Sequence, residues 1–241
     1  MVIKTIGLMG AMDEEIALLL DRIENQVPVV AAGIHFVKGK LHGREVIVCK
    51  SGVGKVNAAV TTQLLINQFD VDTVWFTGVA GAVDPDLNVG DIVISSSCQQ
   101  HDMDVTPLGY PRGTIPYQEI SDFPADSALI RLAEGACKRL CQGHKYMTGR
   151  VLSGDQFIAD HQFVNSFLYE TMNGACVEME GAAVAQVCFM NKVPYVVLRS
   201  ISDKADGSAN VNFAEFTSLA SRRSFEVIND LVLHLDSLDA K

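Results

Sequence analysis

The sequence is short of positive charge. Its 241 residues hold 19 Lys and Arg against 29 Asp and Glu, a formal net charge of −10. No Lys/Arg cluster interrupts that balance. Such a chain repels a nucleic-acid backbone and an anionic membrane surface, which argues against both as partners. It favours a neutral or cationic small molecule instead. No window offers the roughly 18 uninterrupted apolar residues that a membrane span needs. The apolar start of MVIKTIGLMGAMDEE runs into acids, not into a small-residue cleavage site. It reads as a strand, not a signal peptide. The six cysteines (Cys49, Cys98, Cys137, Cys141, Cys176, Cys188) form no CxxC pair. Buried free thiols in a reducing, cytoplasmic compartment are the expectation, and a zinc site lacks its spacing.

Two nucleotide signatures are missing as well. SGVGKV (51–56) invites a phosphate-loop reading. The motif G-x-x-x-x-G-K-[ST] needs Gly at 49 and Ser or Thr at 56, where this chain has Cys49 and Val56. GVAGAV (78–83) is not G-x-G-x-x-G. Both read as tight strand-to-helix turns, so a dinucleotide or nucleoside-triphosphate site is not expected.

What the chain does have is a hydrophobic fraction of 48% and apolar runs of strand length alternating with helical patterns. Strand-like runs fall at 3–10, 71–81, 89–97 and 193–203, with a strand then turn over 149–158 and a strand–turn–strand over 34–52. Helical periods fall at 14–23, 56–69, 125–140 and 213–235. Residues 106–124 carry four prolines and read as a long loop. This alternation predicts one α/β domain over 1–241, a three-layer sandwich with a mixed, mainly parallel central sheet flanked by helices. Ligands of such sheets bind beyond the carboxyl ends of the strands.

Those ends read GLMGAMDEE, KSGVGK, FTGVAGAV, SGDQFI, VEMEG and RSISDKAD. Each acid has an ordinary explanation. Asp13 and Glu14 suit the first turn of a helix. Asp203 could be a turn residue, and Glu180 could cap the following helix. HDMD (101–104) could hold a metal, but turn and cap hydrogen bonds are the better reading of so short a cluster. Acids at three ligand-facing ends shift the balance toward chemistry. Separated carboxylates suit glycosidic cleavage: one protonates the leaving group, another activates water, and anions steady an oxocarbenium-like centre.

GAMDEE (10–15), SGVGKVNA (51–58), TGVAG (77–81), VGDIV (89–93), SGDQFI (153–158), VEMEG (177–181) and RSISDKAD (199–206) recur in order from end to end. Together they resemble the bacterial 5′-methylthioadenosine/S-adenosylhomocysteine nucleosidases of the nucleoside phosphorylase/hydrolase superfamily. The resemblance implies a nucleoside phosphorylase-like fold and N-ribosyl hydrolysis of both nucleosides, with release of adenine. It implies Asp203 as the acid that protonates adenine N7 and Glu15 as the group that positions and activates water. Glu180 matches the ribose-binding glutamate, with Met179 packed on the sugar and Glu178 in support. Arg199 resembles the arginine that organises water and carboxylates, and Ser202 supports Asp203. Phe157 and Ile158 match the adenine pocket, beside Val79, Ala80 and Gly81. Met12, Val53, Val105, Leu108, Tyr110 and Phe213 match the 5′-alkylthio pocket. Pro116 matches a position contributed by the partner subunit of a homodimer. No cofactor and no metal are implied, because water is the second substrate. One position departs: many members carry Ser where this chain has Val79.

The superfamily also contains phosphorylases. A phosphate site wants backbone N–H groups and arginines. After the first strand this chain places Asp13, Glu14 and Glu15, and its first arginine is Arg22. An anion would be repelled there, and a water awaiting deprotonation would not. A nucleoside-binding protein without turnover would share fold and pocket, but would not need Glu15, Glu180 and Asp203 together. 5′-Deoxyadenosine and aminodeoxyfutalosine are also chemically plausible substrates, since the 5′ pocket is apolar.

Overall fold

The computed structural model describes residues 3–140, 143–205 and 209–238. Cys141 and Asp206 lie outside them. In chain order the elements are β1 (Thr5–Gly10), α1 (Asp13–Leu20), β2 (Glu24–Ala31), β3 (Ile34–Leu41), β4 (Arg44–Lys50), α2 (Lys55–Phe69), β5 (Thr73–Ala82), β6 (Ile92–Gln100), β7 (Asp122–Pro124), α3 (Ser127–Leu140), β8 (Tyr146–Ser153), α4 (His161–Phe163), β9 (Gly174–Glu178), α5 (Gly181–Asn191), β10 (Tyr195–Asp203) and α6 (Ala209–Leu233). A π-helical turn, Val164–Tyr169, continues α4. The hairpin expected over 34–52 is present as β3 and β4. Its two turn residues, His42 and Gly43, both take positive φ (52° and 77°), the geometry of a two-residue turn that matches strand twist.

The ten strands of the described residues belong to one sheet. It is mixed, as expected, but parallel pairing does not dominate. Among the described residues five pairings are parallel and five antiparallel. β5 pairs with both β10 and β9, and the path β10–β6–β8–β9 joins its two neighbours. These five strands therefore close into a barrel-like ring, which corrects the expectation of an open, mainly parallel layer. β1, β4, β3 and β2 continue the sheet outward from β5. The physical cause lies in β9, which runs antiparallel to β5 and brings Val177 beside Gly81.

Period-two alternation sends neighbouring side chains of one strand into different cores. On β10, Val197 and Ile201 pack with Ala182–Ala185 of α5 and Leu65 of α2. Val196 and Leu198 pack with Leu132 of α3 and Ile228 of α6, and Ile16 of α1 joins the same cluster. Helices thus cover both faces. β5 is buried along its whole length and reads as a continuous apolar run. Cys49, Cys98, Cys176 and Cys188 are buried free thiols, and Cys137 is buried in the core.

Candidate active site

A cavity of about 290 Å³ opens where β1, β5, β8, β9 and β10 end. Its wall includes Ala11, Met12, Glu15, Val79, Ala80, Gly81, Glu178, Met179, Glu180, Ser202 and Asp203. β1, β5 and β10 run parallel and deliver their carboxyl ends to one side. The surface is mainly apolar with a few converging carboxylates, the usual make-up of a small-molecule site.

Glu15 sits in the first turn of α1 and is 4% exposed. Its carboxylate bends back over the helix start. Oε2 accepts the N–H groups of Ala11 (2.6 Å) and Met12 (3.0 Å), and Oε1 accepts that of Val79 (2.9 Å). Part of this is helix capping, since the first N–H groups of a helix lack intrahelical partners. The bond to Val79 is not, because it crosses to β5. Burial pushes the Glu15 carboxyl above its ordinary 4.5, and the Arg199 charge and the three N–H groups offset only part of that rise.

Glu178 closes β9 and ties four elements together. Its oxygens accept Gly181 N–H (2.9 Å) and Glu180 N–H (3.2 Å) at the start of α5. They also accept the Ser153 hydroxyl from β8 and the Arg199 guanidinium from β10 (2.5 Å). Arg199 is 1% exposed, and its guanidinium lies 4.0 Å from the centre of the Phe76 ring. A buried cation on an aromatic face with a charged partner is a costly arrangement that two-sided pairing sustains.

Glu180 precedes α5 and is 5% exposed. Its Oε1 accepts the Gly54 N–H at 2.7 Å, across from the start of α2. Burial first, and then the Glu178 charge, push its pKa up to about 8. Asp203 ends β10 and is 3% exposed. Its Oδ2 accepts the Ser202 hydroxyl (2.9 Å) and its Oδ1 accepts the Ala205 N–H (2.8 Å).

The apolar lining comes from Met12, Val53, Phe157, Ile158, Met179 and Phe213. Phe157 stands edge-on to Phe213, with ring centres 5.7 Å apart. Five expected residues do not line the cavity. Arg199 lies behind it, because its guanidinium is drawn to Glu178 and Phe76. Val105, Leu108, Tyr110 and Pro116 stand on the segment between β6 and β7, whose 3₁₀ turn (Thr106–Leu108) carries Leu108 out to 70% exposure. Three lining residues were not anticipated: Ala11, Gln156 and Val177. Each lies within one of the motifs GAMDEE, SGDQFI and VEMEG but carries no distinctive chemistry, so the only available signal was position.

The model of the phosphorylase superfamily matches residues 5–233. The chain is 39% identical over 230 residues to the 5′-methylthioadenosine/S-adenosylhomocysteine nucleosidase of Staphylococcus carnosus, covering 95% of this chain and all of that one. The Neisseria meningitidis nucleosidase of the same name, solved with methylthio-immucillin-A, superposes with a TM-score of 0.91 at 37% identity, covering 95% of this chain and 99% of that one. The futalosine hydrolase of Helicobacter pylori superposes with a TM-score of 0.89 at 36% identity, covering 95% and 97%. The chain belongs to the 5′-methylthioadenosine/S-adenosylhomocysteine nucleosidase family, within the phosphorylase superfamily.

Proposed function

We propose that the chain, as one domain, is an N-ribosyl hydrolase. It cleaves 5′-methylthioadenosine and S-adenosylhomocysteine to adenine and the matching 5-thioribose, and so serves methionine salvage and the removal of a methyl-transfer by-product. The observation that carries hydrolysis over phosphorolysis is the seat of Glu15. The N–H groups of Ala11, Met12 and Val79 could cradle an anion, and the chain's own carboxylate already uses all three. A phosphate there would lose its donors and meet a negative charge.

In this reading Asp203 gives a proton to adenine N7 as the C1′–N9 bond lengthens. Ser202 and Ala205 fix the carboxyl in place. Glu15 orients a water toward C1′ and takes its proton, a task that a carboxylate with raised pKa performs better. Glu180 accepts the ribose hydroxyls, and Met179 supplies the apolar wall of the sugar. Phe157 stacks on adenine, and Ile158 reads it through its backbone. The side chain of Val79 offers no hydroxyl to the water, which leaves Glu15 as its main anchor.

Met12, Val53 and Phe213 line an apolar 5′ end, which suits alkylthio groups and does not exclude other 5′ substituents. The same reading makes the protein a homodimer. Val56 and Met190, on the packed helices α2 and α5, are 75% and 65% exposed and offer it an apolar face. Pro116 would then reach the partner's cavity. Val105, Leu108 and Tyr110, on the same segment outside their own cavity, fit that assignment. No described helix is long and apolar enough to cross a membrane.

The test is incubation of the purified protein with 5′-methylthioadenosine, followed by assay of free adenine. Release at catalytic rates supports the reading. Tight binding of 5′-substituted adenosines with no release from any of them would make the protein a binder.

A further inference from the structure

The HDMD motif takes no part in the chemistry above, yet its second residue sits at a junction. The Asp102 carboxylate accepts the Lys55 ammonium at 2.7 and 2.9 Å and the Asp155 N–H at 3.0 Å. Asp155 in turn accepts the Lys55 N–H on its own carboxylate at 2.8 Å. Lys55 is therefore held at both ends, by two acids from two different segments. It also donates to Gln100 (2.9 Å), whose amide donates to Gln186 of α5 (2.8 Å).

Two parts of the cavity hang from this junction. Gly54, next to Lys55, supplies the N–H that holds Glu180. Its φ of 98° is one that L side chains rarely adopt. Asp155 begins the stretch that carries Phe157 and Ile158 into the cavity. Residues 155–157 are exposed and lie in neither helix nor strand, so ordering them costs backbone entropy unless something ties them down. His101 adds a steric wall below. Its ring is buried and lies where a Cβ on Gly154 would go, and its backbone N–H donates to the Ser153 carbonyl at 2.9 Å. The Asp102 carboxyl is pushed up by burial, but the Lys55 ammonium and the Asp155 N–H outweigh that and hold it below its ordinary value.

We propose that Asp102, Lys55 and Asp155 form a clasp that holds the purine-binding loop 154–158 in register with the ribose carboxylate Glu180, acting as positioning residues for nucleoside recognition. This rests on the nucleosidase reading, because it takes Phe157 and Ile158 as the purine contacts. The clasp shapes the cavity before ligand arrives and equally in ground and transition states. Its loss should therefore appear in binding and not in the chemical step.

Asp102→Asn keeps the shape but turns one of the two accepting oxygens into a donor facing a donor. Lys55→Met keeps length without charge, and Lys55→Arg restores the charge. Asp155→Ala alters an exposed loop residue and spares the core if the other variants fold poorly. Free adenine binding by calorimetry, KM and kcat for 5′-methylthioadenosine, and the melting temperature are measured for each. The expected result is adenine affinity lower and KM higher by about tenfold in Asp102→Asn, Lys55→Met and Asp155→Ala, with kcat within about threefold and substantial recovery in Lys55→Arg. Unchanged adenine affinity and KM in all variants of a protein that binds adenine overturns the clasp alone. A wild-type protein that neither binds nor releases adenine overturns the nucleosidase reading, and the clasp with it.

Discussion

The carboxylate of Glu15 fills the space that a side chain on Gly78 would need. A Cβ at Gly78 would overlap Glu15 Oε1 and stand 2.8 Å from Arg199 Nη1. Gly81 bears the same relation to Asp203, whose Oδ1 would be 2.9 Å from its Cβ. The two glycines of TGVAG thus make room for acids from two other elements. Gly78→Ala should displace the Glu15 carboxylate and lower kcat by a factor on the order of 10². Overpacking should cost about 1–3 kcal/mol of stability. Steady-state kinetics and denaturant melts of the variant check both. Full activity would show that Glu15 need not hold its position.

Asp203→Asn keeps the shape of the side chain, so the contacts to Ser202 and Ala205 can be retained, but it removes the transferable proton. Turnover of adenine nucleosides should fall by at least about 10²-fold while substrate still binds. Calorimetric binding beside single-turnover kinetics separates the two effects. Near-normal turnover would remove Asp203 as the acid.

Glu180 gives stability a pH dependence of definite sign. Its folded-state pKa of about 8 lies above the ordinary 4.5. Between those values the folded state binds more protons than the unfolded one, so this group makes stability fall as pH rises from about 4.5 to 8. The slope is up to about 1.4 kcal/mol per pH unit. Melting of the ligand-free protein should therefore weaken across that window, and Glu180→Gln should flatten the profile and raise stability at pH 8. A wild-type profile no steeper than that of the variant would contradict the raised value.

Glu178 and Arg199 form a buried pair in which each neutralises the other. Arg199→Met should leave Glu178 charged without its cation and cost about 3–5 kcal/mol. Adding Glu178→Gln should recover part of that loss, since the two positions are coupled. Additive losses in chemical denaturation would show that the pair does not act as a unit.

Much of this architecture is legible in the residues, for identifiable reasons. β5 and β10 are buried along their lengths, so each reads as an apolar run. β2 is mostly exposed at the end of the sheet path, and its ENQVPVVA carries too weak an apolar pattern to announce a strand. The closed ring depends on which strands pair. β9 turning antiparallel to β5 leaves no mark on its own five residues. At the site, Glu15, Glu180 and Asp203 stand out because carboxylates at strand ends are conspicuous. Gln156 and Val177 do not, since nothing in their chemistry separates them from ordinary loop and strand residues. Arg199 enters through the family resemblance alone, and its seat behind the cavity follows from Glu178 and Phe76, which only the fold brings to it. Asp102 in HDMD looked like turn chemistry because its partner, Lys55, lies 47 residues away.

The central claim is that water, and not phosphate, attacks C1′. The most direct measurement follows adenine release from 5′-methylthioadenosine in phosphate-free buffer and in excess phosphate, with the sugar product identified in each. The seat of Glu15 on Ala11, Met12 and Val79 predicts equal rates and free methylthioribose in both. Release that requires phosphate, with a sugar 1-phosphate as product, would contradict it.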